Sequence, residues 1–370
     1  MKLAFVLFKY FPFGGLQRDM LQIATTCRER GHEIHIFTLS WEGRRPDGMS
    51  VHVLPVKSWS NHEKYRLFQQ SLAPLFQRYG IDRVAGFNKM PGLDYYYAAD
   101  PCLKDKLFRE RNFLVRKLPR YRHFLSSEEA VFAQGGRTEI LLISPRQHLI
   151  YKKHYATEER RLHMLPPGID TSRMAGEDAA QLRAGLRREF QIAGDEQLIL
   201  CIGSGFRTKG LDRSILAFAA LPEELRNKSR LIAIGSDNGE PFTRLAQQLG
   251  VGERFQVLYG RDDIPRFLQG GDLLLHPAYY ENSGMVILEA VIAGLPSLVT
   301  GVCGYAYYVE EADAGVVVPE PFSQSVLNQS LVDALKSPRR AAWRENGIRY
   351  GRNHDLYSMT EYAADLILSS

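Results

Sequence analysis

The sequence predicts an α/β protein made of two parallel-sheet domains that face a cleft. Three observations predict it. Short apolar runs of strand length alternate with helical segments along the chain. The alternation stops at the Pro/Gly break Leu165-Pro166-Pro167-Gly168-Ile169-Asp170 and then restarts. A chain of 370 residues is also too long for one ordinary core.

The elements follow in order. Leu3–Phe8 reads as a first strand, followed by a Gly14-Gly15 turn and a helix from about Leu16 to Arg30. Ile34–Thr38 is the next strand, and Arg83–Phe87 and Ile140–Ser144 read as buried runs. After the break come a strand at Leu198–Gly203, a helix at Leu211–Ala220, a strand at Arg230–Gly235 and a helix at Glu240–Leu249. Phe255–Tyr259 is a strand, Ile264–Gln269 a helix and Leu273–His276 a strand. Met285–Ile292 then reads as a buried helix and Ser297–Thr300 as a short strand. Tyr357–Leu368 is a terminal amphipathic helix. The expected domains are 1–166 and 167–355, with 356–370 packing back on the first.

Composition narrows the function classes. The chain is 45% hydrophobic and 24% charged, as in soluble globular proteins. No apolar run is long enough to cross a bilayer, and the block at Met1–Lys9 is too short for a signal peptide. Cys27, Cys102, Cys201 and Cys303 show no C-x-x-C pairing, so neither a zinc site nor a disulfide framework is expected, and the expected compartment is the cytosol.

The net charge of +5 is concentrated. Between Leu103 and His123 stand eight basic residues, namely Lys104, Lys106, Arg109, Arg111, Arg116, Lys117, Arg120 and Arg122, opposed by Asp105 and Glu110 alone. The segment carries +6 and the rest of the chain −1. Leu107, Phe108, Phe113, Leu114, Leu118, Tyr121 and Phe124 are interleaved with the charges, as suits an amphipathic helix or helix pair. An anionic membrane surface, a nucleic-acid backbone or plain solvent would each suit such a face.

The motif with the most chemistry is a pair of carboxylates, Glu281 and Glu289. Ser283 and Gly284 between them are good helix-start residues, so the amides of Ser283, Gly284 and Met285 form an anion site. Eight residues at helical rise cover roughly 12 Å, about the span of a nucleoside diphosphate sugar from ribose to hexose. Two solvated glutamates beside an ordinary helix are the plainer reading.

Two glycine turns accompany the pair. Phe13-Gly14-Gly15-Leu16 opens the first helix but is not G-x-G-x-x-G, so nicotinamide chemistry is not supported. Gly203-Ser204-Gly205-Phe206-Arg207-Thr208-Lys209-Gly210 follows the first strand of the second half. Its glycines, Arg207 and Lys209 suit a diphosphate, and no Walker pattern is present. Asp262-Asp263 is adjacent rather than spaced as D-x-D, so no metal site is expected.

These stretches carry a resemblance. The chain resembles retaining glycosyltransferases of the GT-B class, with two Rossmann-like domains, in their family 4 group. Within that group it is similar to the lipopolysaccharide core glucosyltransferases of Gram-negative bacteria. The most specific stretches are Lys9-Tyr10-Phe11-Pro12-Phe13-Gly14-Gly15-Leu16-Gln17-Arg18-Asp19 and Gly86-Phe87-Asn88-Lys89-Met90-Pro91-Gly92-Leu93-Asp94. The E-x7-E spacing marks only the broad group.

The resemblance implies transfer of glucose from UDP-glucose, without a metal or other cofactor, to inner-core heptose on lipid A. The enzyme would be peripheral on the cytoplasmic face of the inner membrane, docked through 103–123, and nucleic acid would not be a partner. Position by position, Glu289 would bind ribose hydroxyls, Glu281 hexose hydroxyls and Lys209 the diphosphate. Gly15 would allow close backbone approach, and Asp19 and Asp100 would lie near the reacting centre. Arg173 and Arg261 would meet the diphosphate or nucleobase. Thr208 stands where close relatives often carry a second cation, with Arg207 one position earlier. Another hexosyltransferase with a lipid-linked acceptor and a sugar-nucleotide epimerase of the same fold are the alternatives.

Overall fold

The structure is a computed structural model that describes residues 1–12, 14–110 and 112–369. Phe13 of the first glycine turn and Arg111 of the basic segment lie outside the described residues. The chain divides into two compact units, Met1–Gly168 joined by the stretch from Tyr357, and Ile169–Leu356.

The first unit is built on seven strands: β1 (Lys2–Val6), β3 (Glu33–Thr38), β5 (Ser50–Val53), β6 (Arg83–Gly86), β7 (Tyr95–Ala98), β8 (Glu139–Leu142) and β9 (Leu162–Met164). They form a parallel sheet in the order β5-β3-β1-β6-β7-β8-β9. A small ribbon pairs β2 (Lys9–Tyr10) with β4 (Ser40–Trp41). Strand side chains alternate between faces. Leu3, Phe5 and Leu7 therefore meet one layer of core, and Ala4 and Val6 meet the other. The first layer is completed by helix Gly15–Glu29, through Met20, Ile23, Ala24 and Cys27, and by helix Met359–Leu368, through Met359, Ala363, Ala364 and Ile367. The opposite layer holds Phe132 stacked on Tyr151 at 3.6 Å between ring centres.

The basic segment folds as helix Leu103–Glu110, a short turn of helix at Phe113–Arg116, and helix Pro119–Phe132. Its anchor is Glu128, which is fully buried. The Glu128 carboxylate accepts from Lys89 Nζ at 2.6 Å, Tyr155 Oη at 2.7 Å, and the amides of Leu103 at 2.6 Å and Lys104 at 2.9 Å. Those amides open helix Leu103–Glu110, so a carboxylate from the later helix caps the earlier one. Burial pushes the Glu128 carboxyl up, but Lys89 and the two amides outweigh burial and hold it below the usual range.

The second unit has six strands: β10 (Gln197–Ile202), β11 (Ser229–Ile234), β12 (Phe255–Leu258), β13 (Leu273–His276), β14 (Ser297–Thr300) and β15 (Gly315–Val318). They are all parallel, in the order β12-β11-β10-β13-β14-β15. β13 and β14 are buried along their whole length, as strands covered on both faces must be. Succession along the chain reverses between β10 and β13. The loops leaving those two strands diverge there, so the C-terminal ends of β10 and β13 are where a doubly wound sheet opens a crevice. Lys209 follows β10, and Glu281 follows β13.

Candidate functional site

After β10 the chain turns through Gly203–Gly210, with positive φ at Gly203, Gly205 and Gly210. Asp237, from the loop after β11, accepts the amides of Gly205 and of Phe206, the latter at 3.2 Å. Two amides of this turn thus already have a carboxylate partner. Arg207 is exposed on the same loop. What the turn delivers is Lys209, whose ammonium donates to Glu281 Oε2.

This loop is docked on the one after β13. The Tyr279 amide donates to the Thr208 carbonyl at 2.8 Å. The Arg213 guanidinium lies 3.5 Å from the ring centres of both Tyr279 and Phe322 and donates to the carbonyls of Pro277 at 3.2 Å and Ala278 at 3.0 Å. Gly210 is required there, because a Cβ would sit 2.1 Å from the Pro277 carbonyl oxygen.

Glu281 has a second neighbour. His276, at the end of β13, is buried, and its Nε2 lies 3.5 Å from the carboxylate oxygen that Lys209 meets. Burial lowers the imidazole pKa, so His276 is held neutral. Burial pushes the Glu281 carboxyl up, but His276 and Lys209 outweigh it and hold the group down at about 2. Glu281 is thus ionised throughout the physiological range.

Helix Met285–Ile292 begins at Gly284, with φ of 84° and no side-chain cap. The Ile287 amide donates to the Gly284 carbonyl at 2.8 Å, so the amides of Met285 and Val286 are the ones left for an anion beside Glu281. A Cβ at Gly284 would fall 3.1 Å from Glu281 Cγ, so glycine also leaves room for the carboxylate's stem. The loop is fixed from outside: the Tyr305 amide donates to the Ser283 carbonyl at 2.7 Å, and the Gly304 amide to the Glu281 carbonyl at 3.3 Å. Glu289 lies a turn along the helix, with Arg173 Nε 3.6 Å from its Oε1. Each carboxylate therefore has its own cation, Lys209 for Glu281 and Arg173 for Glu289. Arg261 is not brought to either one: it chelates Asp263 at 2.6 and 2.8 Å and lies 3.7 Å from Glu189.

The remaining expected residues belong to the first unit. Gly15 is the first residue of its helix, and a Cβ there would meet no atom of the described residues within 4 Å. At Gly14, by contrast, a Cβ would run into the side chains of Gln17 and Phe11, which would have to shift, whereas Gly15 stays open to close approach. Asp19 is buried and accepts from Tyr97 Oη of β7 at 2.9 Å, and burial raises its carboxyl above the usual range despite Arg18 alongside. Asp100 follows β7. Its surface is open to solvent while protein crowds it at longer range, and that crowding raises its carboxyl, with Lys89 opposing.

His276, Asp237 and Arg213 were not anticipated. The available signal for His276 was its position at the end of the strand that flanks the reversal of strand order. Asp237 and Arg213 gave no local signal.

Comparison with known proteins follows from this geometry. Residues 183–350 match the family of glycosyl transferases group 1. The chain is 46% identical over 368 residues to the lipopolysaccharide glucosyltransferase WaaG of Escherichia coli K12, covering 99% of this chain and 98% of that protein. The crystal structure of WaaG, a glycosyltransferase involved in lipopolysaccharide biosynthesis, superposes with a TM-score of 0.93 at 45% identity over the full length of both chains. The structure of Anabaena HepE in complex with UDP-glucose shares the fold, with a TM-score of 0.75 at 16% identity over the full length of both.

Proposed function

This chain belongs to the lipopolysaccharide glucosyltransferases of the group 1 glycosyl transferases, and from that premise we propose that it moves glucose from UDP-glucose to an inner-core heptose of lipopolysaccharide. Transfer proceeds with retention, at the cytoplasmic face of the inner membrane. The observation that carries this reading is the ionised Glu281, held by Lys209 and His276 beside an uncapped helix start.

In this reading the bond between the hexose anomeric carbon and the diphosphate oxygen breaks while a bond to the acceptor hydroxyl oxygen forms on the same face. The acceptor proton passes to a phosphate oxygen of the departing UDP. Negative charge grows on the diphosphate, and the Lys209 ammonium with the amides at the start of helix Met285–Ile292 takes it. Glu281 accepts hexose hydroxyls, and Glu289 accepts those of the ribose. Transfer needs no metal, since Lys209 supplies the cation.

Incubation with UDP-glucose, with and without lipid A carrying the heptose inner core, tests the proposal. UDP release that depends on the acceptor supports it, whereas isomerised UDP-sugar formed without acceptor would make the protein an epimerase. The two glutamates should also separate. Glu289→Ala is expected to weaken UDP binding roughly 10–100-fold, as loss of charge-assisted hydrogen bonds does. Glu281→Gln should keep UDP affinity within about threefold and lose turnover, because its partner is the sugar. Calorimetry with UDP and steady-state rates measure both; the opposite pattern would exchange the two ends.

The basic segment supports docking on an anionic leaflet, with one revision. Phe108, Leu114 and Leu118 are exposed among Lys106, Arg109, Lys117, Arg120 and Arg122. Leu107 instead packs inward, and Phe124 lies against the Tyr65 ring at 6.1 Å between centres. Lys104 leaves the basic face as well, donating to the His154 carbonyl at 3.0 Å with its ammonium 4.5 Å from the Tyr155 ring centre. The triple variant Lys117→Gln, Arg120→Gln and Arg122→Gln is expected to bind phosphatidylglycerol vesicles roughly a hundredfold more weakly at low salt, at about 1 kcal/mol per charge. Equal vesicle sedimentation of variant and wild type would remove this surface from the proposal.

A further inference from the structure

Trp59 is the most exposed large apolar side chain among the described residues. Of the three tryptophans in the chain, Trp41 stacks on Tyr10 at 3.7 Å between ring centres and Trp343 is buried. Trp59 lies wholly in water, and among the described residues no ring stacks on it and no group accepts from its indole N–H. Single exposed apolar residues are common on folded proteins. What sets Trp59 apart is the loop that presents it and the face it joins. Ser60 caps helix Asn61–Tyr79 by accepting the Glu63 amide at 3.4 Å, and Ser58 Oγ accepts the Ser60 amide at 3.4 Å. Trp59 stands between these two serines, so its backbone is held at a fixed helix start.

Helix Asn61–Tyr79 packs against helix Pro119–Phe132. The Tyr65 ring lies 6.1 Å from that of Phe124, and Gln69 Nε2 donates to Ser127 Oγ at 3.5 Å. Burial, then His62 and Arg66 alongside, lower the His123 pKa. Partner numbers rise together along the two helices, so both run in the same direction and their N-terminal ends lie side by side. That register brings Trp59 to the end where Leu118, Pro119 and Arg120 begin the second helix. Leu118 is exposed there, as are Leu114 and Phe108 on the elements before it, among Lys117, Arg120 and Arg122. Lys57, two residues before Trp59, is exposed as well. Apolar side chains rimmed by cations complement an anionic lipid surface. An indole suits the headgroup level of such a surface, where its ring meets acyl chain and its N–H stays wet.

We propose that Trp59 is an interfacial anchor: loop 57–60 and segment 103–123 form one docking surface, and the indole enters the headgroup region of an anionic leaflet beside Leu118. This anchor rests on the leaflet docking proposed for the basic segment and adds to it an apolar contact that salt does not screen.

The full chain is mixed with phosphatidylglycerol vesicles, with and without acyl-brominated lipid, at low and at high salt. Tryptophan emission is expected to shift to the blue and to be quenched by the brominated lipid. Trp59→Ser should lose both changes and bind vesicles about tenfold more weakly at either salt, as loss of one partly buried large ring predicts. Its melting temperature should match wild type, because the side chain packs on no core. The Lys117→Gln, Arg120→Gln and Arg122→Gln variant should instead bind weakly at low salt and approach wild type as salt rises. Unquenched emission from vesicle-bound wild type, or equal vesicle affinity of Trp59→Ser, would overturn the anchor and leave the basic face standing. Absence of vesicle binding by the wild type would remove both. A blue shift produced by soluble inner-core oligosaccharide without vesicles would also overturn the anchor, by making the indole a platform for sugar.

Discussion

Lys209→Ala is expected to lower kcat with UDP-glucose about 10²–10³-fold, the usual loss when one preorganised group is withdrawn from developing charge. Lys209 is the side-chain cation at the start of the anion site, and His276, 3.5 Å from the same Glu281 oxygen, is neutral and brings no charge. The substitution also has a signature that loss of packing would not give. Without the ammonium, burial of Glu281 meets less opposition, and its carboxyl rises from about 2 toward its ordinary 4.5. In the wild type this depressed group contributes stability that is present in full above the ordinary carboxylate pKa and lost as the pH falls through about 2. In the variant that contribution shrinks, so the melting temperature falls most between neutral pH and the carboxylate range. Lys209→Arg should restore the melting profile while recovering only part of the rate, because the fork of a guanidinium is not a point charge. A variant within threefold of wild-type kcat would remove Lys209 from the chemistry.

Glu128→Ala should be the most destabilising of the substitutions considered, by about 3–5 kcal/mol, because it strands the buried Lys89 charge. It also frees the Leu103 and Lys104 amides and the Tyr155 hydroxyl from their acceptor. Urea unfolding measures the loss. Replacing both charges, with Glu128→Leu and Lys89→Met, should recover more than half of it, since the pair itself contributes little once desolvation is counted. Equal losses in the single and double variants would show that the amides, not the stranded charge, set the cost. Because Glu128 caps the helix at Leu103, the single variant should also bind anionic vesicles less tightly even though every surface lysine and arginine is kept.

The alternation of strands and helices, the break near 165–170 and the two glutamates were legible because each is local in sequence. A helix start, a glycine turn and an eight-residue spacing depend on neighbours along the chain. Strands β5, β7, β9 and β15 were missed for a related reason. Each has three or four residues, and Gly315–Val318 and Tyr95–Ala98 are apolar runs whose periodicity does not separate strand from helix. The rest depends on pairing at a distance. Asp237 meets Gly205 across 32 residues, Lys89 meets Glu128 across 39 and Arg340 meets Asp272 across 68. Nothing in any of those residues' own surroundings announces its partner. Lys104 was counted with the basic face on charge alone, and only its aromatic and carbonyl contacts take it inward.

The stacking of Arg213 between Tyr279 and Phe322, with Gly210 pressed to the Pro277 carbonyl, bears on how new specificities are engineered. Segments 203–213 and 276–284 behave as one cassette. A chimera that imports the lysine turn from a homologue, but keeps the resident glutamate loop, inherits a seam in the middle of the charge pair. Exchange of the two segments together, with Phe322, moves that seam out to strand backbone, where parallel pairing is indifferent to side-chain identity.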